Sequence, residues 1–318
     1  MGHQIKCVSL TKRFQRINAL DGLDLELEIN QTTGIVGPNG AGKSTLFAIL
    51  CGFISPTSGK VHVLDHVPDS SRIKGKLSLL PQDASMFKGV DVVTQLKHYA
   101  RLQNFNGKEA SKEVDHVLTL VQAKDFAKQF PERLSFGQRK RIMLAQSLIG
   151  KPELILMDEP TSGLDPIAAN EVRKLLRDLG DEYSVIISSH NLSEIEDICS
   201  DIAILDKGKL VTHSSLTELK RSNKCFSLEL EVPSHVHLSE LLNEISEIGQ
   251  IENDNNDMKS WIIHDETDSA EQLQIKILSK LGERGINISE FKKGKALADE
   301  ISQIIKKSSG ATDTEFEE

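Results

Sequence analysis

The sequence lacks any apolar run approaching the roughly 18 residues that a bilayer-spanning helix needs. The first ten residues, MGHQIKCVSL, contain no apolar signal region. Lys6 stands where the N-myristoylation pattern requires Ser or Thr. From these absences we expect neither a transmembrane helix nor a secretory or myristoylation signal in this sequence.

Cysteines are few and scattered, at positions 7, 51, 199 and 225, and no CxxC pair or metal-type cluster occurs. This spacing is typical of buried, reduced thiols in a cytosolic protein. We therefore expect no disulfide framework, no cysteine-based metal site and no catalytic thiol.

An excess of positive charge is also missing, since the formal net charge is −9 and the sequence pI is about 5.6. This balance argues against a general nucleic-acid-binding surface. Hydrophobic residues make up 38% and charged residues 27% of the 318 positions, which is typical of a soluble globular protein. The length favours two domains.

Residues 37–45 read GPNGAGKST and satisfy the phosphate-loop pattern G-x-x-x-x-G-K-[ST]. Gly37, Gly40 and Gly42 can adopt backbone angles that side chains forbid, so that successive N–H groups can point at phosphate oxygens. The whole loop is therefore predicted to bind a nucleotide through Gly37, Pro38, Asn39, Gly40, Ala41, Gly42, Lys43, Ser44 and Thr45.

The surroundings of this loop fit the motif. An apolar segment ends at Val36, and apolar residues at helical spacing follow from Leu46, so a strand leads in and a helix leads out. The helix N-terminus attracts the phosphates, Lys43 reaches the β- and γ-phosphates, and the Ser44 hydroxyl ligates Mg²⁺.

A second element, residues 154–160, reads LILMDEP. The continuous apolar run predicts a central parallel strand that delivers two acids to its carboxyl end, beside the phosphate loop. We expect Asp158 to hold Mg²⁺ and Glu159 to polarise the attacking water.

A third element, residues 134–138, reads LSFGQ, and Ser135 is predicted to open a helix whose N-terminus is a natural anion site. Strands alternating with helices up to about residue 221 predict a layered α/β domain, with a helical part at about 88–150.

Residues 222–307 form a separate small α+β domain in this interpretation. Their elements follow the order β-α-β-β-α-β of a split βαβ, ferredoxin-like domain, in which an apolar stripe over 238–248 predicts the first helix. A further helix near 296–306 is predicted after the last strand. The turn between the second and third strands is predicted at 254–257. Residues 308–318 are polar and acidic and are predicted to be disordered.

Residues 5–220 together resemble the ATP-binding subunit of ABC transporters, because several motifs of that family occur in its order. They are an adenine-stacking aromatic at Phe14, the phosphate loop, a glutamine loop at Gln82, a signature carrying Ser135, Gly137 and Gln138, the Asp158–Glu159 strand, a D-loop with Asp165 and a switch histidine at His190. The resemblance implies a P-loop ATPase domain with a β subdomain and a helical subdomain.

Subunits of this family work as a head-to-tail pair with ATP sandwiched between them. The resemblance implies that Ser135 and Gly137 contact the γ-phosphate bound by the opposite subunit, and that Asp165 lies at the interface. Glu159 is implied as general base, while His190 holds the γ-phosphate and the water in line.

The remaining roles also follow from the resemblance. Lys43 and Gln82 join the catalytic set, and Mg²⁺ is implied to bind Ser44, Gln82 and Asp158. Phe136 stands where the family usually has glycine, and it would be strained if that position required a positive φ.

A chain of this kind implies separate transmembrane permease subunits, membrane contact only through them, and a place at the cytoplasmic face of the cell membrane. Its small C-terminal domain resembles that of bacterial exporter subunits. The alternative is a soluble ATPase of the same family that acts on the ribosome or DNA. A guanine-specific N-K-x-D motif is absent, which disfavours a GTPase.

Overall fold

The computed structural model describes residues 4–28, 31–222, 225–231, 238–242, 244–254, 259–265 and 270–293. Contacts divide the chain into two compact units between Leu216 and Thr217. The sequence had placed this division after residue 221. Within the described residues, no helix is both long and apolar enough to cross a membrane.

The described residues of the first unit form nine strands and the helices that connect them. The strands are β1 (Gln4–Phe14), β2 (Ile17–Glu28), β3 (Thr32–Val36), β4 (Ser58–Val63), β5 (Leu77–Leu80), β6 (Leu154–Asp158), β7 (Ser184–Ser189), β8 (Asp201–Asp206) and β9 (Lys209–Ser215). The helices up to residue 222 are α1 (Lys43–Leu50), α2 (Val92–Leu102), α3 (Gly107–Leu120), α4 (Phe136–Leu148), α5 (Pro166–Gly180), α6 (Leu192–Ile198) and α7 (Leu216–Ser222).

The main sheet has six strands in the order β5-β6-β7-β3-β8-β9. Its first five strands are parallel, and β9 pairs antiparallel with β8. Strands β3 and β6 are buried along their whole length, which explains the continuous apolar run of residues 154–157 in β6. Because carboxyl ends of parallel strands meet at one edge, the loops after β5, β6, β7 and β3 lie side by side there.

A second, antiparallel sheet has the order β2-β1-β4. Leu23, Leu25 and Leu27 of β2 alternate with exposed residues, so this sheet buries one face. That face joins α1 and the main sheet in one hydrophobic core, which contains the fully buried Phe47. The core therefore fixes the start of α1 relative to both sheets.

Helices α2, α3 and α4 form the helical part that the sequence predicted. Helix α3 begins at Gly107, earlier than the start near Glu113 suggested by its apolar stripe. The reason is the Asn106 cap, whose side chain accepts from the Glu109 N–H at 3.0 Å while Glu109 accepts from the Asn106 N–H at 2.9 Å. This reciprocal capping box stabilises a polar first turn.

The second unit has the elements β10 (Cys225–Leu230), α8 (Leu238–Leu242), β11 (Ile248–Asp254), β12 (Ser260–Asp265), α9 (Ala270–Glu283) and β13 (Ile288–Lys293). They follow the predicted β-α-β-β-α-β order and form an antiparallel sheet of order β11-β12-β10-β13. Its core holds Phe226, stacked on Phe291 with ring centroids 5.3 Å apart.

One helix boundary in this unit was wrong. The apolar spacing from Leu238 to Ile248 predicted a single helix, but α8 ends at Leu242 and Ile248 begins β11. Leu238 and Ile248 nevertheless lie in the same core. The same apolar residues are therefore buried by a short helix that turns into a strand as they would be by one longer helix. Of the turn predicted at 254–257, Asp254 ends β11. Residues 255–257, the helix near 296–306 and the tail at 308–318 lie outside the described residues.

All four cysteines are free thiols, as predicted, and two of them, Cys7 and Cys225, are buried. Burial raises the pKa of Cys7 and of Cys51 to about 12, and nearby Asp24 adds to the effect at Cys7. Burial also raises the pKa of Cys199 far above its ordinary value, with a contribution from Asp201.

Candidate functional site

The phosphate loop connects β3 to α1, as predicted. Lys43 is buried, and its Nζ donates to the carbonyl oxygens of Gly37 at 2.7 Å and Pro38 at 3.1 Å. Burial lowers the pKa of Lys43, while the negative charges of Glu159 and Asp158 oppose that change. The ammonium group is therefore held inside the loop, close to the predicted catalytic acids.

The loop glycines are needed for two different reasons. Gly40 and Gly42 have positive φ angles of 83° and 104°, as expected of a phosphate cradle. Gly37 does not have a positive φ, so the predicted conformational reason is wrong there. Its reason is space, since a Cβ at Gly37 would lie 2.2 Å from the Leu205 carbonyl oxygen.

The N-terminus of α1 has no side-chain cap, because its N-cap residue is Gly42. By contrast, side chains cap α2, α3, α4 and α5. The first N–H groups of any helix have no partner inside it, and in α1 these belong to residues 43–45. Uncapped donors beside a lysine ammonium fit the phosphates of a nucleotide.

Asp158 and Glu159 lie at the carboxyl end of β6, next to β7. The Ser188 hydroxyl donates to Asp158 Oδ1 and accepts from the Glu159 N–H at 3.1 Å. The Glu159 N–H also donates to the Ser188 carbonyl oxygen at 3.1 Å. One serine of β7 thus orients both acids.

Glu159 is the centre of the predicted catalytic group. Gln82 Nε2 donates to its Oε2 at 3.2 Å, and His190 Nδ1 lies 2.9 Å from its Oε1. Because an ionised carboxylate only accepts, Nδ1 carries the hydrogen of that contact. Glu159 is buried and has a positive φ of 47°, a strained conformation for a residue with a side chain. The loops after β5, β6 and β7 therefore meet at this carboxylate.

The signature segment begins α4, as predicted. Ser135 is the N-cap, its Oγ accepts from the Gln138 N–H at 3.2 Å, and Gln138 Oε1 accepts from the Ser135 N–H at 2.9 Å. Gln138, predicted as a nucleotide contact, therefore caps its own helix in this structure. The Ser135 hydroxyl accepts in this bond and keeps its hydrogen for another partner.

Phe136 is the first residue of α4 and does not have a positive φ, so glycine is not required there by backbone angle. Its ring is 53% exposed. The Arg139 guanidinium lies 5.5 Å from the ring centroid, and a Cβ at Gly163 would lie 3.3 Å from Phe136 Cε1. The ring thus covers part of the D-loop of the same chain.

Asp165 of the D-loop caps α5. Its Oδ1 accepts from the N–H groups of Ile167 and Ala168, each at 3.0 Å. Phe14 ends β1 and is 47% exposed, with Lys12 Nζ 5.0 Å from its ring centroid. These two predicted residues lie outside the group around Glu159.

Three further residues beside the catalytic group, Thr161, Ser189 and Glu194, were not predicted. The buried Glu194 accepts from the hydroxyls of Thr161 and Ser189. For Glu194 the sequence offered only a weak signal. That signal was the pair Ser188 and Ser189, which ends a buried strand directly before His190.

The predicted magnesium ligands are a serine hydroxyl, a glutamine amide and one carboxylate, on Ser44, Gln82 and Asp158. Oxygen donors of this kind suit Mg²⁺, which is usually bound through one or two carboxylates together with substrate phosphates. Among the described residues, no group of three or more His, Cys, Asp or Glu could hold a metal ion. The donor set thus fits an ion shared with nucleotide phosphates.

A phosphate loop follows β3, two acids lie at the carboxyl end of β6, and a histidine follows β7, the strand between those two. This arrangement defines a P-loop ATPase. The chain belongs to the family of ABC transporter ATP-binding proteins and is an ATP-binding, ATP-hydrolysing subunit of that kind. Residues 20–162 match the family described as ABC transporter.

Among its relatives is an uncharacterised ABC transporter ATP-binding protein, YhaQ of Bacillus subtilis, 35% identical over 214 residues that cover 67% of this chain and 72% of YhaQ. The daunorubicin resistance ATP-binding protein DrrA3 of Streptomyces coeruleorubidus is 32% identical over 212 residues, covering 66% and 67%. Other relatives are named for import.

A similar solved structure is cbiO1 of Clostridium perfringens, part of the ABC transporter complex cbiONQ. It has a TM-score of 0.63 and 26% identity, and the match covers 70% of this chain and 94% of that one. Proteins of this family pair with one another and with transmembrane subunits, so a partnership of that general kind is expected of this chain.

Proposed function

We propose that this chain is the motor subunit of an exporter, closing head to tail with a second ATP-binding subunit to drive separate transmembrane permease subunits. The observation that carries the catalytic part is the Glu159 carboxylate, held between Gln82 and His190. A buried carboxylate with a fixed orientation can accept a proton from a water molecule as a general base.

Lys43 serves the phosphates in this proposal. Its Nζ now donates to two loop carbonyls, at 2.7 and 3.1 Å, so it lies ready to donate to phosphate oxygens from the same place. The uncapped N–H groups at the start of α1 add donors. Together they offset the negative charge that grows on the phosphates during hydrolysis.

Ser44, Asp158 and Gln82 would hold Mg²⁺, and that fit is part of the proposal. When bound, the ion neutralises phosphate charge and orients the leaving group. Ser188 keeps Asp158 in place through its hydroxyl. Gln82 donates to Glu159 in this structure, so its amide can link the metal ligands to the base.

The second half of the site lies on the partner subunit. The Ser135 hydroxyl retains its hydrogen, and the N–H groups of Phe136 and Gly137 belong to the first turn of α4, where no intrahelical partners exist. These donors suit a γ-phosphate bound by the other subunit. Asp165, which caps α5, would lie at that interface.

We also propose that the transport is export and that the chain lies at the cytoplasmic face of the membrane. The DrrA3 relative, named for daunorubicin resistance, and the small ferredoxin-like domain proposed for residues 222–307 support export. Purification from membranes should recover this chain with a permease, and inverted vesicles containing both should take up substrate when ATP is added. Uptake that instead runs in right-side-out vesicles and needs a binding protein would indicate an importer.

The base assignment is tested by Glu159→Gln, which keeps the shape and removes the proton acceptor. Turnover of ATP should fall by at least about 100-fold, while ATP binding persists and a nucleotide-bound dimer accumulates on size-exclusion chromatography. Glu182→Gln, at an exposed acid beyond α5, is the control and should leave turnover unchanged. Steady-state turnover at the wild-type level in Glu159→Gln would rule out Glu159 as the base.

A further inference from the structure

The Glu194 carboxylate connects two segments that carry the catalytic residues. It is buried in the first turn of α6, 8% exposed, although an acid at that place usually faces solvent. Its Oε1 accepts from the Thr161 hydroxyl, and its Oε2 accepts from the Ser189 hydroxyl at 2.9 Å. Each oxygen thus serves a different segment of the chain.

Both hydroxyls lie very close to the proposed reacting groups in sequence. Thr161 comes two residues after Glu159, at the start of the D-loop, and Ser189 comes directly before His190. Thr161 and Ser189 are themselves buried, so water does not replace these bonds easily. A buried carboxylate must keep its donors, because losing one leaves an unsatisfied charge.

The turn that carries His190 depends on the same serine. The Asn191 N–H donates to Ser189 Oγ at 2.9 Å, while that hydroxyl donates its own hydrogen to Glu194. The hydrogen bonds therefore run from the turn at His190, through Ser189 and Glu194, to Thr161. Glu159 has a strained, positive φ. Its N–H donates to the Ser188 hydroxyl, and Thr161 follows it by two residues along the chain.

A cavity of about 360 Å³ adjoins this chain of hydrogen bonds, lined by Glu159, Gly163, Arg173, His190 and Glu194 among others. Residues of both the D-loop and the histidine turn line this cavity. The bonds to Glu194 are the direct connection between the two segments on this face.

We propose that Glu194 is a positioning residue that joins the D-loop to the turn of the switch histidine, and so holds Glu159 and His190 at hydrogen-bonding distance. The proposal rests on the proposed function of Glu159 and His190 and deepens it. Glu194 touches neither of them. It acts through Thr161 and Ser189, and a D-loop that moves on dimer closure carries the histidine turn with it.

The test compares Glu194→Ala and Glu194→Gln with Glu182→Gln in the full-length chain. Misplacement of a reacting group by about 1 Å costs on the order of 100-fold in rate. We expect Glu194→Ala to lower kcat by about 100-fold with the Kd for ATP within about twofold. Glu194→Gln, which can still bond both hydroxyls, should lose only about tenfold.

A double-mutant cycle separates positioning from simple loss of stability. Thr161→Val and Ser189→Ala each remove one hydroxyl, and the two hydroxyls meet only through Glu194. Their effects on kcat should be non-additive in the wild-type background and additive in Glu194→Ala, which removes both bonds. These three milder variants also keep the test decisive if Glu194→Ala fails to fold.

The outcomes distinguish this inference from the proposed function. A wild-type chain without ATPase activity sensitive to Glu159→Gln would overturn the base assignment itself. Normal wild-type turnover, with kcat unchanged in Glu194→Ala or additive effects of Thr161→Val and Ser189→Ala, would overturn the role of Glu194 alone. A rise in Kd with kcat unchanged would also overturn it.

Discussion

Two helix N-termini in this chain are proposed to bind the same γ-phosphate from opposite subunits, and they are built differently. Helix α1 starts at Gly42 without a side-chain cap, whereas α4 starts at Ser135 with a complete capping box. The first N–H groups of α1 therefore await a ligand, while the first turn of α4 is already capped by its own side chains.

This difference suggests an order of binding. The P-loop gains the most from a nucleotide, since its lysine and uncapped N–H groups have the strongest need for an anion. The signature helix offers one hydroxyl hydrogen and first-turn N–H groups without giving up its own cap. Nucleotide should therefore bind first to the P-loop, and the signature of the partner should join afterwards.

The largest effect should come from Gly37→Ala in the P-loop. A Cβ there would lie 2.2 Å from the Leu205 carbonyl oxygen, and backbone cannot easily move away, so ATP binding measured by calorimetry should be lost. Gly40→Ala is the matched control, because its φ is 83° and nothing lies within 4 Å of the added carbon. It should cost only about 1.4 kcal/mol, or roughly tenfold in Kd. A greater loss in Gly40→Ala than in Gly37→Ala would contradict the spatial role of Gly37.

An intermediate effect should come from Ser135→Ala in the signature. Removing one oriented donor to a developing anion costs about 100-fold in kcat. Losing the cap costs about 1 kcal/mol of stability as well. Nucleotide affinity of the isolated chain should stay near wild type, because the hydroxyl acts in the partner.

The control for Ser135→Ala is Asn106→Ala, which removes a capping box of the same kind from α3, far in sequence from the predicted site residues. It should cost similar stability in thermal unfolding but change kcat by less than about twofold. Equal losses of kcat in both variants would mean that Ser135 matters only as a cap.

The smallest effect should come from Phe136→Ala. The ring is half exposed and its main partners are Gly163 and the Arg139 guanidinium, an exposed cation–π contact worth about 0.5–1 kcal/mol. Turnover should change by no more than about fivefold, since the N–H donors of α4 remain. A loss of 100-fold or more would show instead that the ring contacts the nucleotide across the dimer.

Local sequence patterns predicted much of this site. The apolar run before Asp158 placed both acids at a strand end, and Ser135 was correctly expected to open a helix. Such predictions succeed because the decisive interactions lie within a few residues along the chain. Helix α3 starts before its apolar stripe for an equally local reason, because the capping box at Asn106 and Glu109 stabilises a polar first turn.

Features that depend on distant residues could not be predicted. The Leu205 carbonyl of β8 leaves no space for a side chain at Gly37. The buried Glu194 finds its hydrogen-bond donors on two other segments, at Thr161 and Ser189. In the sequence, Glu194 is an ordinary acid in the first turn of a short helix. Ile248 shows a related limit, because the same apolar spacing suits a helix and a turn into a strand.

The buried thiols have a practical consequence for following this protein in solution. With pKa values of about 12 for Cys7 and Cys51 and a higher one for Cys199, almost no thiolate exists at neutral pH, and Cys225 is buried. A cysteine introduced at Ile167, which is 77% exposed beside Asp165, should therefore react selectively with a maleimide. The natural chain thus provides a quiet background for fluorescent or spin labels that report subunit approach.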